Sequence, residues 1–258
     1  MATYDEIITI EVDGQQISGT FVATRARLPG VLFVHGWGGS QQRYVARARE
    51  VATLGCVCLT FDLRGHEQTR SQFETVSRED NLHDVIAAFD ALTAHDSVDA
   101  NAVAVVGSSY GGYLAAILTS IRRVKWLALR APALYKDSEW ELPKWQLKKL
   151  HNLDEYRKQP VPPNESRALT ACTHFDGDVL IVESEYDFVV PHQVIANYRE
   201  ACSRARSVTY RVMAGADHGL ADESMQQAYT NLLVEWFRHM LAESPVTSET
   251  TVPLRIDG

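Results

Sequence analysis

The sequence predicts an α/β protein, with a mostly parallel central sheet, helices on both faces and a small inserted cap. Three observations carry this. Apolar segments alternate between short strand-like runs and stretches of helical periodicity. The strand-like runs are continuous and β-branched, as strands buried on both faces are. The chain has 258 residues and is 45% hydrophobic, enough for one sizeable core.

The elements follow in order. Ile7–Val12 and Ile17–Ala23 flank Asp13-Gly14 and read as a hairpin. Val31–His35 is a short buried strand. A helix over Gln42–Leu54 and a strand over Cys56–Asp62 come next. Ser77-Arg78-Glu79-Asp80 resembles a capping box, and the helix after it sets Leu82, Val85, Ile86, Phe89 and Leu92 on one face. Ala102–Gly107 is a β-branched strand leading into a helix that reaches about Ile121. Lys125–Arg130 and Val179–Glu183 are strands. A helix near Val194–Cys202 precedes the strand Ser207–Met213. The last helix, about Glu223–Leu241, turns Met225, Tyr229, Leu232, Leu233, Trp236 and Phe237 towards the core. Residues 242–258 read as a polar tail. Residues 133–177 interrupt the rhythm and are longer than an ordinary connection, so they read as a cap over the carboxyl edge of the sheet.

Composition narrows the chemistry. The net charge of −8 lacks the clustered basic surface that nucleic acid requires. Mean hydropathy is −0.18 and no apolar run approaches a membrane span. The opening MATYDEIITIEVDG has no secretory pattern, so the expected location is cytoplasmic. Cys56, Cys58, Cys172 and Cys202 have neither CxxC nor zinc spacing. Cys56 and Cys58 alternate along a strand and so share one face; all four read as reduced thiols. Neither a metal nor a cofactor is expected.

The strongest motif is Gly107-Ser108-Ser109-Tyr110-Gly111, with Gly112-Tyr113 after it. It matches G-x-S-x-G after a strand and before a helix. There a strained turn projects the serine hydroxyl, and flanking glycines leave room for the crossing helix. Only Ser109 fits the frame, because Ser108 would need glycine at Val106. A serine nucleophile needs a base. Of the nine histidines, His218 stands in Ala214-Gly215-Ala216-Asp217-His218-Gly219, after one strand and before the last helix. His66, His83, His95, His151, His174, His192 and His239 have no motif around them and read as surface or cap. The orienting carboxylate is expected at Asp187, after the strand Val179–Glu183, with Glu183 and Glu185 open as rivals. His35-Gly36-Trp37-Gly38-Gly39 follows another strand and can present a backbone donor to a developing oxyanion. There the Trp37 N–H would join the N–H of Tyr110, and His35 would orient the loop without transferring protons.

These segments resemble the α/β-hydrolase superfamily over residues 5–241, where the chain order Ser109, Asp187, His218 is the usual one. Gly107 to Tyr113 is similar to the catalytic domain of prolyl-oligopeptidase-type enzymes and their small esterase relatives. Phe61-Asp62-Leu63-Arg64-Gly65-His66 is similar to the D-x-R-G-H-G loop of that superfamily, with Glu67 in place of the last glycine. Serine as nucleophile disfavours the dienelactone hydrolases, dehalogenases and epoxide hydrolases, and 258 residues leave no room for the propeller of prolyl oligopeptidases. The resemblance implies a cofactor-free carboxylesterase, feruloyl-esterase-like, acting through an acyl-enzyme on a small-molecule ester. A peptidase or thioesterase with the same residues, and a non-catalytic binding protein of the same fold, stay open. Trp140 and Trp145 in the insertion and Phe188 beside Asp187 are expected to bind substrate and to favour aromatic esters.

Overall fold

In the computed structural model, residues 4–23, 28–150 and 152–243 are described. The eight strands are β1 (Tyr4–Val12), β2 (Gln15–Ala23), β3 (Leu28–Val34), β4 (Val57–Phe61), β5 (Val98–Ser108), β6 (Trp126–Arg130), β7 (Asp178–Tyr186) and β8 (Ser207–Asp217). They form one sheet in the order β1-β2-β4-β3-β5-β6-β7-β8. The β1–β2 hairpin and its join to β4 are antiparallel, and every later pairing is parallel. Asp13 and Gly14, at φ 49° and 72°, make the two-residue turn, since a tight hairpin needs left-handed backbone at both positions.

Helices cover both faces. They are α1 (Gln42–Ala52), α2 (Arg78–Ala94), α3 (Tyr110–Leu118), α4 (Leu147–Leu150), α5 (Leu153–Arg157), α6 (Arg167–His174), α7 (His192–Ala201) and α8 (Glu223–Ala242). Strand alternation sorts the core into two layers. Leu32, Val34, Val103, Val105, Leu127, Leu129, Val179 and Ile181 face α2, α3, α6 and α7. Val31, Phe33, Ala104, Val106, Trp126, Ala128, Leu180 and Val182 face α1 and α8. Cys56 and Cys58 lie in this second layer, and all four cysteines are free and buried.

Ser77 caps α2 in a reciprocal box with Asp80. The helix expected to reach Ile121 stops at Leu118. Thr119 and Ser120 turn their hydroxyls back onto the carbonyls of Ala116 and Ile117, which competes with continuing the helical ladder.

The 133–177 stretch divides into two parts. Its end, α6, buries Ala168, Leu169 and Cys172 in the sheet layer beside α3, so it belongs to the body. The earlier part, with α4 and α5, is stapled to the segment before α2. Lys144 N–H donates to the Val76 carbonyl at 2.8 Å, and the Trp145 indole donates to the Glu74 carbonyl at 2.6 Å. Of the stretch expected as a tail, Ala242 closes α8 and Glu243 caps it; residues 244–258 lie outside the described residues. Among the described residues no helix is long and apolar enough to cross a membrane.

Candidate active site

Ser109 occupies the sharp turn between β5 and α3, at φ 52° and ψ −117°. That region is costly for any residue with a Cβ. Hydrogen bonds hold it there: Ser109 N–H donates to Arg130 O at 2.9 Å, and Ala133 N–H donates to Ser109 O at 2.9 Å. The glycines are required by contact. A Cβ on Gly107 would lie 2.5 Å from Gly111 O, and one on Gly111 would strike the carbonyls of Val34 and His35.

Three strand ends bring the polar side chains together. His218 Nε2 lies 2.9 Å from Ser109 Oγ, and His218 Nδ1 lies 2.7 Å from Asp187 Oδ2. With Nδ1–H donating to the carboxylate, Nε2 is left to accept from the serine; the partners fix this tautomer. Asp187 Oδ1 accepts the backbone N–H groups of Val189 at 2.9 Å and Val190 at 2.7 Å. Burial alone would raise the pKa of this carboxyl. The His218 hydrogen bond and the two amides outweigh burial and hold it below the ordinary carboxylate value.

The rival acids are engaged elsewhere. Glu183 accepts from Tyr210 OH and contacts His192 Nδ1 at 2.9 Å. Glu185 accepts the Gly215 N–H at 2.7 Å, which ties β7 to the end of β8 just ahead of His218.

The loop after β3 rests on two buried histidines. His35 Nε2 accepts the Leu63 N–H at 3.0 Å while Nδ1 donates to Gly36 O at 2.8 Å. His66 Nε2 accepts the Gly38 N–H at 2.9 Å. Burial drives the pKa of His35 down to about 3, and burial lowers that of His66, so both accept as neutral rings. His66 therefore departs from the surface or cap position expected of it; it is 2% exposed and supports this loop. Gly38 and Gly39 N–H groups are committed to His66 and Gly36 O. Among the described residues, no protein acceptor takes the N–H of Trp37 or of Tyr110.

This combination matches a known family: the model of the prolyl oligopeptidase family fits residues 42–244. The chain belongs to the prolyl oligopeptidase family. No curated protein sequence matches it. Solved structures share the α/β-hydrolase fold at low identity. Dienelactone hydrolase from Anabaena variabilis is 21% identical with a TM-score of 0.63, over 92% of this chain and 98% of its own. Est1E from Butyrivibrio proteoclasticus, solved with ferulic acid, is 16% identical with a TM-score of 0.72, over 91% of this chain and 99% of its own. Acylaminoacyl peptidase from Pyrococcus horikoshii is 14% identical with a TM-score of 0.69; 96% of this chain aligns with only 43% of it. This prolyl oligopeptidase family chain is thus an α/β-hydrolase-fold serine hydrolase.

A cavity of about 580 Å³ opens in front of Ser109 in this family member. Trp37, Tyr44, Arg43, Arg47, Arg130, Gln226 and Tyr229 line it with Ser109 and His218. The three side chains expected to bind substrate do not. Trp140 is 6.0 Å from Tyr113 in a stacked pair and lies under the guanidiniums of Arg78 and Arg167. Trp145 is bonded to Glu74 O and covered by Lys149, and Phe188 is 94% exposed. Both tryptophans fix the insertion to the body, and the aromatic walls come from α1, α8 and the β3 loop. Arg130 ends β6 and bonds Ser184 Oγ at 3.0 Å and the His218 carbonyl, so it steadies the histidine loop. No sequence motif marked Arg130 or Arg47; Arg47 is one ordinary helical residue whose position becomes meaningful only when α8 packs beside α1.

Proposed function

We propose that the chain hydrolyses carboxylic esters of small molecules through an acyl-enzyme. The observation that carries the reading is the chain of hydrogen bonds from Asp187 through His218 to Ser109, at 2.7 and 2.9 Å. Ser109 Oγ attacks the ester carbonyl carbon as its proton passes to His218 Nε2. The carbonyl oxygen becomes an anion and accepts from the Trp37 and Tyr110 amides. The intermediate collapses, and the imidazolium returns its proton to the departing alcohol. Water then attacks the acyl-serine by the same route and releases the acid. Asp187 keeps the imidazole in the tautomer this requires.

A small substrate suits the cavity volume, and the half-buried Trp37 in its lining supplies aromatic surface for an aromatic ester. The part of the 133–177 insertion that carries Lys144, α4 and α5 acts in this reading as a cap that braces the β3 loop, with the Lys144 ammonium over the Trp37 ring. Four free buried cysteines fit a reducing compartment such as the cytoplasm. The test is covalent labelling by a fluorophosphonate together with turnover of p-nitrophenyl acetate, in the wild-type protein and in Ser109→Ala. Labelling and turnover that both depend on Ser109 are expected. A purified wild-type protein that neither labels nor turns over any ester overturns the reading.

A further inference from the structure

Arginines buried in this protein usually meet acceptors of full value. Arg64 bonds Asp84 at 2.5 Å, and Arg157 bonds the carbonyls of Leu134 and Val189 at 3.1 and 3.0 Å. Arg47 differs. Among the described residues its one hydrogen-bond acceptor is a neutral hydroxyl, Thr230 Oγ1, 3.1 Å from Nε. Its two Nη groups, with four of its five N–H donors, are left for whatever enters the cavity it lines.

The surroundings make that cavity cationic. The Arg47 guanidinium carbon lies 4.6 Å from the centre of the Tyr229 ring, and that of Arg130 lies 5.9 Å from the same ring. Arg43 stands four residues before Arg47 on α1, hence on the same helical face. Among the described residues that line the cavity, three carry guanidiniums and none carries a carboxylate. Asp187 acts on Arg130 from nearby but bonds His218 and two amides. The chain has 33 acidic residues against 25 basic ones, so acids are not scarce; they are kept out of this wall. Two like charges held against one ring repel, and the Arg47 Nη groups are not buried but face the cavity. An anion entering beside Ser109 would relieve the repulsion, and a guanidinium fork matches carboxylate or phosphate geometry.

We propose that the cavity takes an ester bearing an anionic group, a carboxylate or a phosphate, and that Arg47, assisted by Arg43, receives that anion while Ser109 attacks the ester. This deepens the esterase reading and rests on it. Hydrolysis of such an ester adds one water across the acyl–oxygen bond, leaving the anionic group unchanged.

The experiment compares kcat/KM for a neutral ester, p-nitrophenyl acetate, with three anionic ones. Mono-p-nitrophenyl succinate carries its carboxylate in the acyl part, 4-acetoxybenzoate carries it in the alcohol part, and 4-acetoxyphenyl phosphate carries a phosphate there. 4-Acetoxybenzamide serves as the neutral match for the last two. At least one anionic ester should exceed its neutral match by about tenfold or more, the value of one charge-assisted hydrogen bond. Which one does so separates carboxylate from phosphate. That ratio should collapse towards unity in Arg47→Gln and fall in Arg43→Gln. A neutral ester turned over with no anionic preference, or a preference untouched by Arg47→Gln, overturns the proposal and leaves the esterase reading intact. A second measurement does not depend on turnover. In the Ser109→Ala protein, monoethyl succinate should bind more tightly than diethyl succinate by calorimetry, and Arg47→Gln should abolish the difference. Equal binding of the succinate pair, together with equal binding of 4-acetoxyphenyl phosphate and 4-acetoxybenzamide, overturns the anion site even if no ester is hydrolysed.

Discussion

The ammonium of Lys144 sits 4.6 Å from the centre of the Trp37 ring and 4.9 Å from that of Tyr110. These are the two residues whose amides would receive the oxyanion. Lys144 is itself buried, and its backbone is pinned to Val76. A buried cation over aromatic faces is worth about 2 kcal/mol. Lys144→Met should therefore lower kcat by about tenfold, the size of effect that such a loss of positioning produces. Lys144→Arg, which keeps the charge over the rings, should recover most of it. Steady-state kinetics of the two variants check this, with circular dichroism to show that both are folded.

In the proposed mechanism the acid is expected to be specific. Asp187→Asn should reduce kcat by about ten-thousand-fold, as an amide favours the wrong imidazole tautomer. Glu183→Gln and Glu185→Gln should cost far less, since Glu183 is bonded to Tyr210 and His192, and Glu185 to the Gly215 amide. Ester turnover by the three variants side by side distinguishes them. A crippling Glu183→Gln would reassign the acid.

Stability should fall on acidification through His35. In the fold this ring stays neutral down to about pH 3, because burial opposes its charge; the unfolded chain takes up the proton near the ordinary value of 6.5. The unfolded state therefore binds the extra proton between those two values. The contribution is fully present above about pH 6.5 and is lost as pH falls through that window, at up to about 1.4 kcal/mol per pH unit. Urea unfolding at several pH values between 7 and 4 should show the slope, and His35→Gln should reduce it.

Gly111→Ala should be destabilising out of proportion to one methyl group. Its Cβ would be driven into the carbonyls of Val34 and His35, where α3 crosses the end of β3. Backbone must move, at a cost of about 1–3 kcal/mol or more. Chemical denaturation measures it. Gly14→Ala meets no atom within 4 Å and should cost less, through its φ of 72° alone.

Much of this was legible in the residues, for identifiable reasons. The parallel strands announce themselves because both of their faces are buried, so runs such as Val103–Val106 have no polar member. The Ser109 turn is legible because close backbone contact admits only glycine at positions 107 and 111. The cavity wall was not. Trp140 looks the same in sequence whether its ring faces a ligand or stacks on Tyr113, and the outcome depends on how the insertion lies against α2 and α3. Arg47 and Tyr229 are 182 residues apart and meet only because α1 and α8 cover the same face. His66 ends the segment similar to the D-x-R-G-H-G loop, but nothing local named its partner, since the amide it accepts from belongs to Gly38 on another strand's loop.

The backbone of Ser109 has a consequence for how this protein can change. At φ 52° and ψ −117° the chain favours glycine, whatever the chemistry asks for. Ser109→Gly should accordingly melt at a higher temperature than either the wild-type protein or Ser109→Ala, which keeps the Cβ and hence the strain. Durability and turnover are then opposed at this one position. A descendant released from the need to cut esters would gain stability by the single substitution that ends its activity.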